Sequence, residues 1–211
     1  MQRAPASRSR RQGLRVAWMA VWSACSLPSW AGRQLEEPLG DAVRGALSTA
    51  VAGAAPPDPL LPSVQHRQAY ARWLQHASQR LARYKPHPVE RQEFLQTVWY
   101  EARRAGLPLS LVLGLVEVES AFRKFAVSSA GARGYMQVMP FWSRLIGDGD
   151  ESRLFQLQTN LRFGCVILRH YLDSERGDLF LGLGRYNGSR GQGAYPQAVL
   201  AAQRHWLHEV D

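Results

Sequence analysis

Residues 115–140 read LVEVESAFRKFAVSSAGARGYMQVMP, and the rest of the chain is organised around them. Leu109, Leu111, Val112, Leu113, Leu115, Val116 and Val118 surround the helix that enters this stretch on all sides. A helix apolar all round is a buried one. It runs into Glu119-Ser120, and a loop of small residues follows. A carboxyl group at the end of a buried helix, facing a Gly-rich loop, suits general acid catalysis. Apolar surroundings raise its pKa, and a raised pKa keeps its proton on near neutral pH. Glu117 and Glu119 lie roughly 200° apart around the axis. One of them must face a cleft while the other is solvated or paired. The change of direction just past Ser120 selects Glu119 for the cleft.

Composition narrows the class. The chain has 211 residues, enough for a real core in one or two domains. The net charge of +9 is concentrated at the start. Residues 1–31 hold five Arg and no acid, and the remainder carries 21 basic and 17 acidic residues. A net charge of +4 with no basic run argues against nucleic acid as a partner. Residues 1–31 read as a secretory signal peptide. Arg3 to Arg15 form the basic region, Val16 to Leu27 the apolar run, and Ser29-Trp30-Ala31 a small-x-small cleavage site. The expected destination is the periplasm. The apolar run is far shorter than the roughly 20 residues that span a bilayer, so no stable membrane span is expected. Trp22-Ser23-Ala24-Cys25 offers an alternative, a loose lipoprotein box that would anchor the chain through Cys25. With Cys25 removed, Cys165 stands alone inside a helical apolar pattern and reads as a small core residue.

Residues 32–63 read as a flexible, linker-like segment rich in Gly, Ala and Pro, with at most a weak helix over Asp41 to Ala52. Residues 64–93 read as a helical extension in which Tyr70, Trp73, Leu74, Ala77, Leu81 and Tyr84 share one face. Lys85-Pro86-His87-Pro88 breaks that helix. Residues 94–211 read as the catalytic domain. Its helices start with Phe94, Leu95, Val98 and Trp99, continue past Pro108, and include a short one over Phe141 to Ile146. Leu157, Leu161, Gly164, Cys165, Leu168, Tyr171 and Leu172 mark a long amphipathic helix. Asp178 can cap the next helix, and Tyr195 to His208 form the last. No strand and no internal repeat is expected.

Several spaced motifs carry a family resemblance. They are Glu119-Ser120-x-Phe122, Ala126-x-Ser128-x-x-Gly131-Ala132-x-Gly134-x-Met136-Gln137-x-Met139-Pro140, Asn160-x-x-x-Gly164-x-x-x-Leu168 and Tyr186-Asn187-Gly188. In this order and spacing, from about Phe94 to Trp206, the chain resembles the soluble lytic transglycosylases that cleave peptidoglycan. The resemblance implies a mainly α, goose-lysozyme-like fold preceded here by a helical segment. It implies Glu119 as the catalytic acid and base, and Ser120 as the residue that orients it. Ser128, Met136, Gln137, Met139, Tyr186 and Asn187 match positions that line the substrate cleft. The chain departs from the family pattern at Tyr135, where Leu is usual, and around Arg185 to Arg190, where Ala-Tyr-Asn-Ala-Gly-Pro is usual. A Glu-Thr-x-x-Tyr signature is reduced to Tyr195-Pro196.

Peptidoglycan glycan strands are the partner this implies, with no cofactor and no metal. The expected reaction breaks the β-1,4 bond between N-acetylmuramic acid and N-acetylglucosamine and closes a 1,6-anhydro ring. Glycosidases normally need two carboxylates, and the motifs supply only one. A lysozyme-type hydrolase on the same fold, and a non-catalytic cell-wall-binding scaffold of a secretion apparatus, are the competing readings. His205, His208 and Glu209 are close in sequence but read as a solvated helix end.

Overall fold

The computed structural model describes residues 34–53, 61 and 63–210. The helices among them are α1 (Asp41–Ala52), α2 (Val64–Leu81), α3 (Pro88–Arg104), α4 (Leu109–Ser120), α5 (Phe141–Ile146), α6 (Leu157–Ser174), α7 (Leu179–Asn187) and α8 (Ala194–Trp206). A 3₁₀ turn over Glu151–Phe155 precedes α6. The described residues form no strand; isolated bridges from Arg133 to Val127 and Val138 pin the loop after α4. The mainly α expectation therefore holds. No described helix is long and apolar enough to cross a membrane. The leader over residues 1–31, Cys25 and the Ala54–Pro59 stretch lie outside the described residues.

α4 is the hub. Every residue from Leu109 to Val116 is buried, as the all-round apolar pattern requires. α8 crosses it where Gly114 has no side chain. A Cβ there would lie 2.6 Å from the backbone nitrogen of Gln203 and 2.8 Å from its Cα. These are backbone atoms and cannot swing aside. Gly114→Ala should therefore push α8 off α4 and cost about 1–3 kcal/mol, read as a lower urea midpoint. α6 packs its apolar stripe beneath the loop after α4, with Cys165 buried in the core. α7 starts on the side chain of Asp178, which accepts from Leu181 N, and stops at Gly188 with φ 74°.

Two sequence expectations need revision. The segment read as linker contains a full helix, α1, with Leu47 and Val51 buried. Its Ala-rich composition hid a face that tertiary packing completes. Arg104 Nη2 secures it by donating to Ala50 O at 2.6 Å. The boundary drawn between residues 93 and 94 falls inside α3, which runs unbroken from Pro88 to Arg104. Phe94 and Leu95 are completely buried there. α3 thus belongs to the extension and the domain alike.

Candidate active site

Glu119 sits in the last turn of α4. The chain then reverses through two left-handed residues, Ala121 at φ 48° and Phe122 at φ 61°. Such angles are costly outside glycine and persist only where packing enforces them. Here the Phe122 ring is wedged among Tyr84, Phe94 and Trp206, with centroids 4.8, 5.7 and 5.4 Å away. The turn leaves the Glu119 side chain buried, at 4% exposure. Tyr195 donates its hydroxyl to Glu119 Oε1 at 2.5 Å. Oε2 is buried and finds no hydrogen-bond partner in the protein. Loss of water pushes the pKa up to about 8, against the smaller downward pull of the Tyr195 hydrogen bond. The carboxyl thus holds its proton at neutral pH, the state a general acid requires.

Glu117 goes the other way around the helix. It accepts from Tyr84 Oη at 2.8 Å, Arg83 Nη2 at 3.4 Å and Trp206 Nε1 at 2.7 Å. The two carboxyls part as their spacing demands. One is isolated in an apolar setting and the other ties α8 and the turn after α2 to α4.

The loop facing Glu119 is held by a chain of buried polar contacts. Ser120 Oγ donates to Tyr135 O at 2.8 Å, which fixes the helix end to the loop. Asn160 on α6 accepts from Met136 N at 2.8 Å and donates to Arg133 O and Leu154 O. Tyr186 on α7 donates to Met136 O at 2.7 Å. Tyr186 is completely buried and lies within the field of Glu119, which adds to the upward shift that burial gives its hydroxyl. Asn187 donates to Ser189 Oγ at 3.0 Å, while its buried Oδ1 has no partner in the protein.

Not every predicted contact residue offers a surface. Met136 is completely buried against Gly164, so it supports the loop from beneath. Gln137 is buried and donates to Ala126 O and Gly134 O, bracing the loop from within. Ser128 Oγ is engaged by Ala132 N at 3.1 Å, closing a turn. Met139 is half-buried at the far end of the loop. The structure gathers Glu119, Ser120, Tyr186 and Asn187 at the ends of α4 and α7. Met136 and Gln137 hold the loop between them.

Sequence reading missed three polar supports. Tyr195, seen only as the remnant of a longer signature, is the direct partner of Glu119. Asn160 stands in the matched motif Asn160-x-x-x-Gly164-x-x-x-Leu168 with no role assigned to it, yet its amide anchors three backbone groups. Tyr135, a departure from the expected Leu, accepts from the buried Lys85 Nζ at 2.9 Å. A lysine from the α2–α3 turn is the partner that makes the tyrosine acceptable there. Tyr195→Phe removes the hydrogen bond that favours ionised Glu119. The pKa of Glu119 should rise further, and the alkaline fall of activity should move to higher pH.

Among the described residues, the candidate second carboxylates are all engaged elsewhere. Glu101 is bound to Arg162, Asp148 to Arg153, and Glu151 to Arg133 and Arg144. Asp150 caps the 3₁₀ turn through Ser152, and Asp178 caps α7. Burial and the Tyr195 bond are the causes of the Glu119 shift; no acidic neighbour contributes. Among the described residues, no cluster of three or more His, Cys, Asp or Glu is placed to hold a metal ion.

Known proteins are similar to the chain over the region that holds this site. The model of the transglycosylase SLT domain matches residues 97–203. A membrane-bound lytic murein transglycosylase C of Actinobacillus pleuropneumoniae serotype 5b is 39% identical over 88 residues, covering 38% of this chain and 24% of the relative. The protein of that name from Haemophilus ducreyi is 46% identical over 97 residues, covering 40% and 26%. That of Glaesserella parasuis serovar 5 is 48% identical over 52 residues, covering 25% and 14%. The chain spans about a quarter or less of the length of these relatives. The matched domain takes in the loop, both carboxyl-bearing turns and the α7–α8 side of the site, and the chain belongs to the transglycosylase SLT domain family.

Proposed function

We propose that the chain is a peptidoglycan lytic transglycosylase. It cleaves the β-1,4 bond between N-acetylmuramic acid and N-acetylglucosamine and leaves 1,6-anhydromuramyl ends. The observation that carries this reading is the buried carboxyl of Glu119, with no acidic neighbour and a pKa that burial pushes up to about 8. A hydrolase normally pairs its acid with a second carboxylate that places water or attacks the sugar. A lone acid suffices where the substrate brings its own nucleophile.

In this mechanism Glu119 gives its proton to the glycosidic oxygen as the bond to C1 breaks. Positive charge develops at C1, supported by the substrate's N-acetyl oxygen and by dipoles already in place, among them the Tyr186 hydroxyl. Glu119, now ionised, removes the proton from the C6 hydroxyl of the same muramyl residue. That oxygen bonds to C1, and Glu119 ends protonated again. Tyr195 steadies the transient carboxylate. Ser120 orients the helix end, Asn187 presents its free Oδ1, and Ser128 and Met139 border the glycan. The helices from α3 onward carry the activity, and the α2–α3 turn braces it through Lys85. Muropeptides released from purified sacculi should be lighter by one water than hydrolysed ones when weighed by mass spectrometry.

The location follows from the leader. The matched relatives are named membrane-bound. We read residues 1–31 as an export signal that delivers a periplasmic chain starting at Gly32. The intact mass of the exported protein tests this, because lipid on Cys25 would instead give a heavier, membrane-anchored product.

A further inference from the structure

The turn between α2 and α3 lies outside the matched domain, which begins at residue 97. It nevertheless grips the catalytic end of α4 at two points. Tyr84 donates to Glu117 Oε1 at 2.8 Å, and its ring lies 4.8 Å from that of Phe122. Lys85 Nζ donates to Tyr135 Oη at 2.9 Å. The two grips meet at Phe94, whose ring lies 5.7 Å from Phe122 and 5.0 Å from Tyr135. Between them stands the left-handed pair Ala121 and Phe122, just past Glu119. Such a pair keeps its conformation only where its surroundings impose it.

Lys85 is an unfavourable residue to bury. It is 8% exposed, and burial lowers its pKa, while Glu90 and Glu93 on α3 and Lys124 beyond the turn act on it through space. Its ammonium lies over the rings of Phe94 and Tyr135, 5.3 and 4.7 Å from their centroids. Its partner is a neutral hydroxyl, whose pKa burial pushes up to about 12. The Leu of the family pattern at position 135 would need no such partner. An apolar pair of the same shape would serve stability as well or better. What the polar pair adds is a fixed position. The Tyr135 carbonyl accepts from Ser120 Oγ at 2.8 Å, and the next residue, Met136, is held by Asn160 and Tyr186. Pinning the Tyr135 ring thus pins the carbonyl that holds the helix end carrying Glu119.

We infer that Lys85 is a positioning residue of the active site: through Tyr135 and Ser120 it holds in place the turn that buries Glu119, and it does so from outside the family's domain. The inference rests on the reading of Glu119 as the general acid. Held in place, the turn keeps water from the carboxyl; loosened, it admits water. The groups that titrate around Glu119 are the hydroxyls of Tyr186 on α7 and Tyr195 on α8. Both bond elsewhere, to Met136 O and to Glu119 Oε1, so a change at Lys85 reaches Glu119 through the turn.

Variants of the full chain separate positioning from packing. Lys85→Met leaves the buried Tyr135 hydroxyl without its partner, and Tyr135→Phe leaves the ammonium without its own, so each should lower Tm. The double variant Lys85→Met with Tyr135→Phe buries neither polar group, and its Tm should return close to that of the parent. Its activity should not return. Turnover on purified sacculi, measured well below each Tm, should stay several-fold under the parent. The alkaline fall of activity should move to lower pH, because a better hydrated Glu119 gives up its proton sooner. Should Lys85→Met fail to fold, the double variant carries the test alone. Parental turnover in the double variant would make Lys85 a packing residue and overturn the inference. A loss of turnover with the alkaline limb unmoved, or moved to higher pH, would overturn it too. If parent sacculi digests contain anhydro products but the double variant keeps the parental profile, only this inference falls. If they contain none, the functional reading itself falls.

Discussion

Glu119→Gln should lose about 10²–10⁴-fold in turnover on purified sacculi, the usual worth of a general acid. It should also change how stability depends on pH. Below the ordinary carboxyl pKa of 4.5, folded and unfolded chains both hold the Glu119 proton and the group costs nothing. Between 4.5 and about 8 the unfolded chain ionises while the folded chain does not, so stability falls as pH rises. Above about 8 the loss is complete. Glutamine has no such slope. The stability of Glu119→Gln relative to the parent should therefore climb by about 3 kcal/mol from pH 4 to pH 7, at roughly 1.4 kcal/mol per pKa unit. The comparison across pH matters more than either end value, because the new amide adds a buried donor of its own. Urea titrations at several pH values give the result. A flat difference would mean that Glu119 ionises normally and is no reservoir of a proton at neutral pH.

Arg162→Met should cost about 3–5 kcal/mol, the largest stability loss expected from any single change discussed here. Arg162 and Glu101 are 8% and 2% exposed and join α6 to α3. Arg162 Nη2 lies 2.8 Å and Nε 3.1 Å from Glu101 Oε1. Without the guanidinium, the Glu101 carboxylate is left with more distant partners, Arg104 at 3.6 Å and the neutral amide of Gln158 at 3.4 Å. A loss of this size is a large share of the 5–15 kcal/mol typical of a folded domain. Glu101→Gln added to Arg162→Met should restore much of it, since removing both charges leaves none buried. The urea midpoint reports both variants. The pair lies away from Glu119, so activity should follow the folded fraction alone.

Local pattern made the centre of this fold legible. α4 could be read because its apolar residues leave no polar face, and Glu119 because a reversal follows it at once. The left-handed turn at Ala121 and Phe122 gave no sign in residue type, since neither is glycine; packing of the Phe122 ring enforces it. Contacts between distant parts of the chain were invisible. Tyr195 reaches Glu119 across 76 residues and Trp142 reaches Gln34 across 108. No periodicity carries such information. Composition misled at α1, where alanines give little amphipathic signal and Arg104 supplies the hold from α3. The family match, which carries no burial information, groups Met136 and Gln137 with the cleft residues, whereas both are buried and brace the loop from within.

The source of the oxygen at C1 tests the central claim most directly. Digestion of purified sacculi in heavy-oxygen water separates the two chemistries. If Glu119 works alone and the substrate's C6 hydroxyl attacks, the anhydromuramyl ends carry no label. Labelled reducing ends as the main product would contradict the account, for they require an activated water that no carboxylate beside Glu119 is placed to supply.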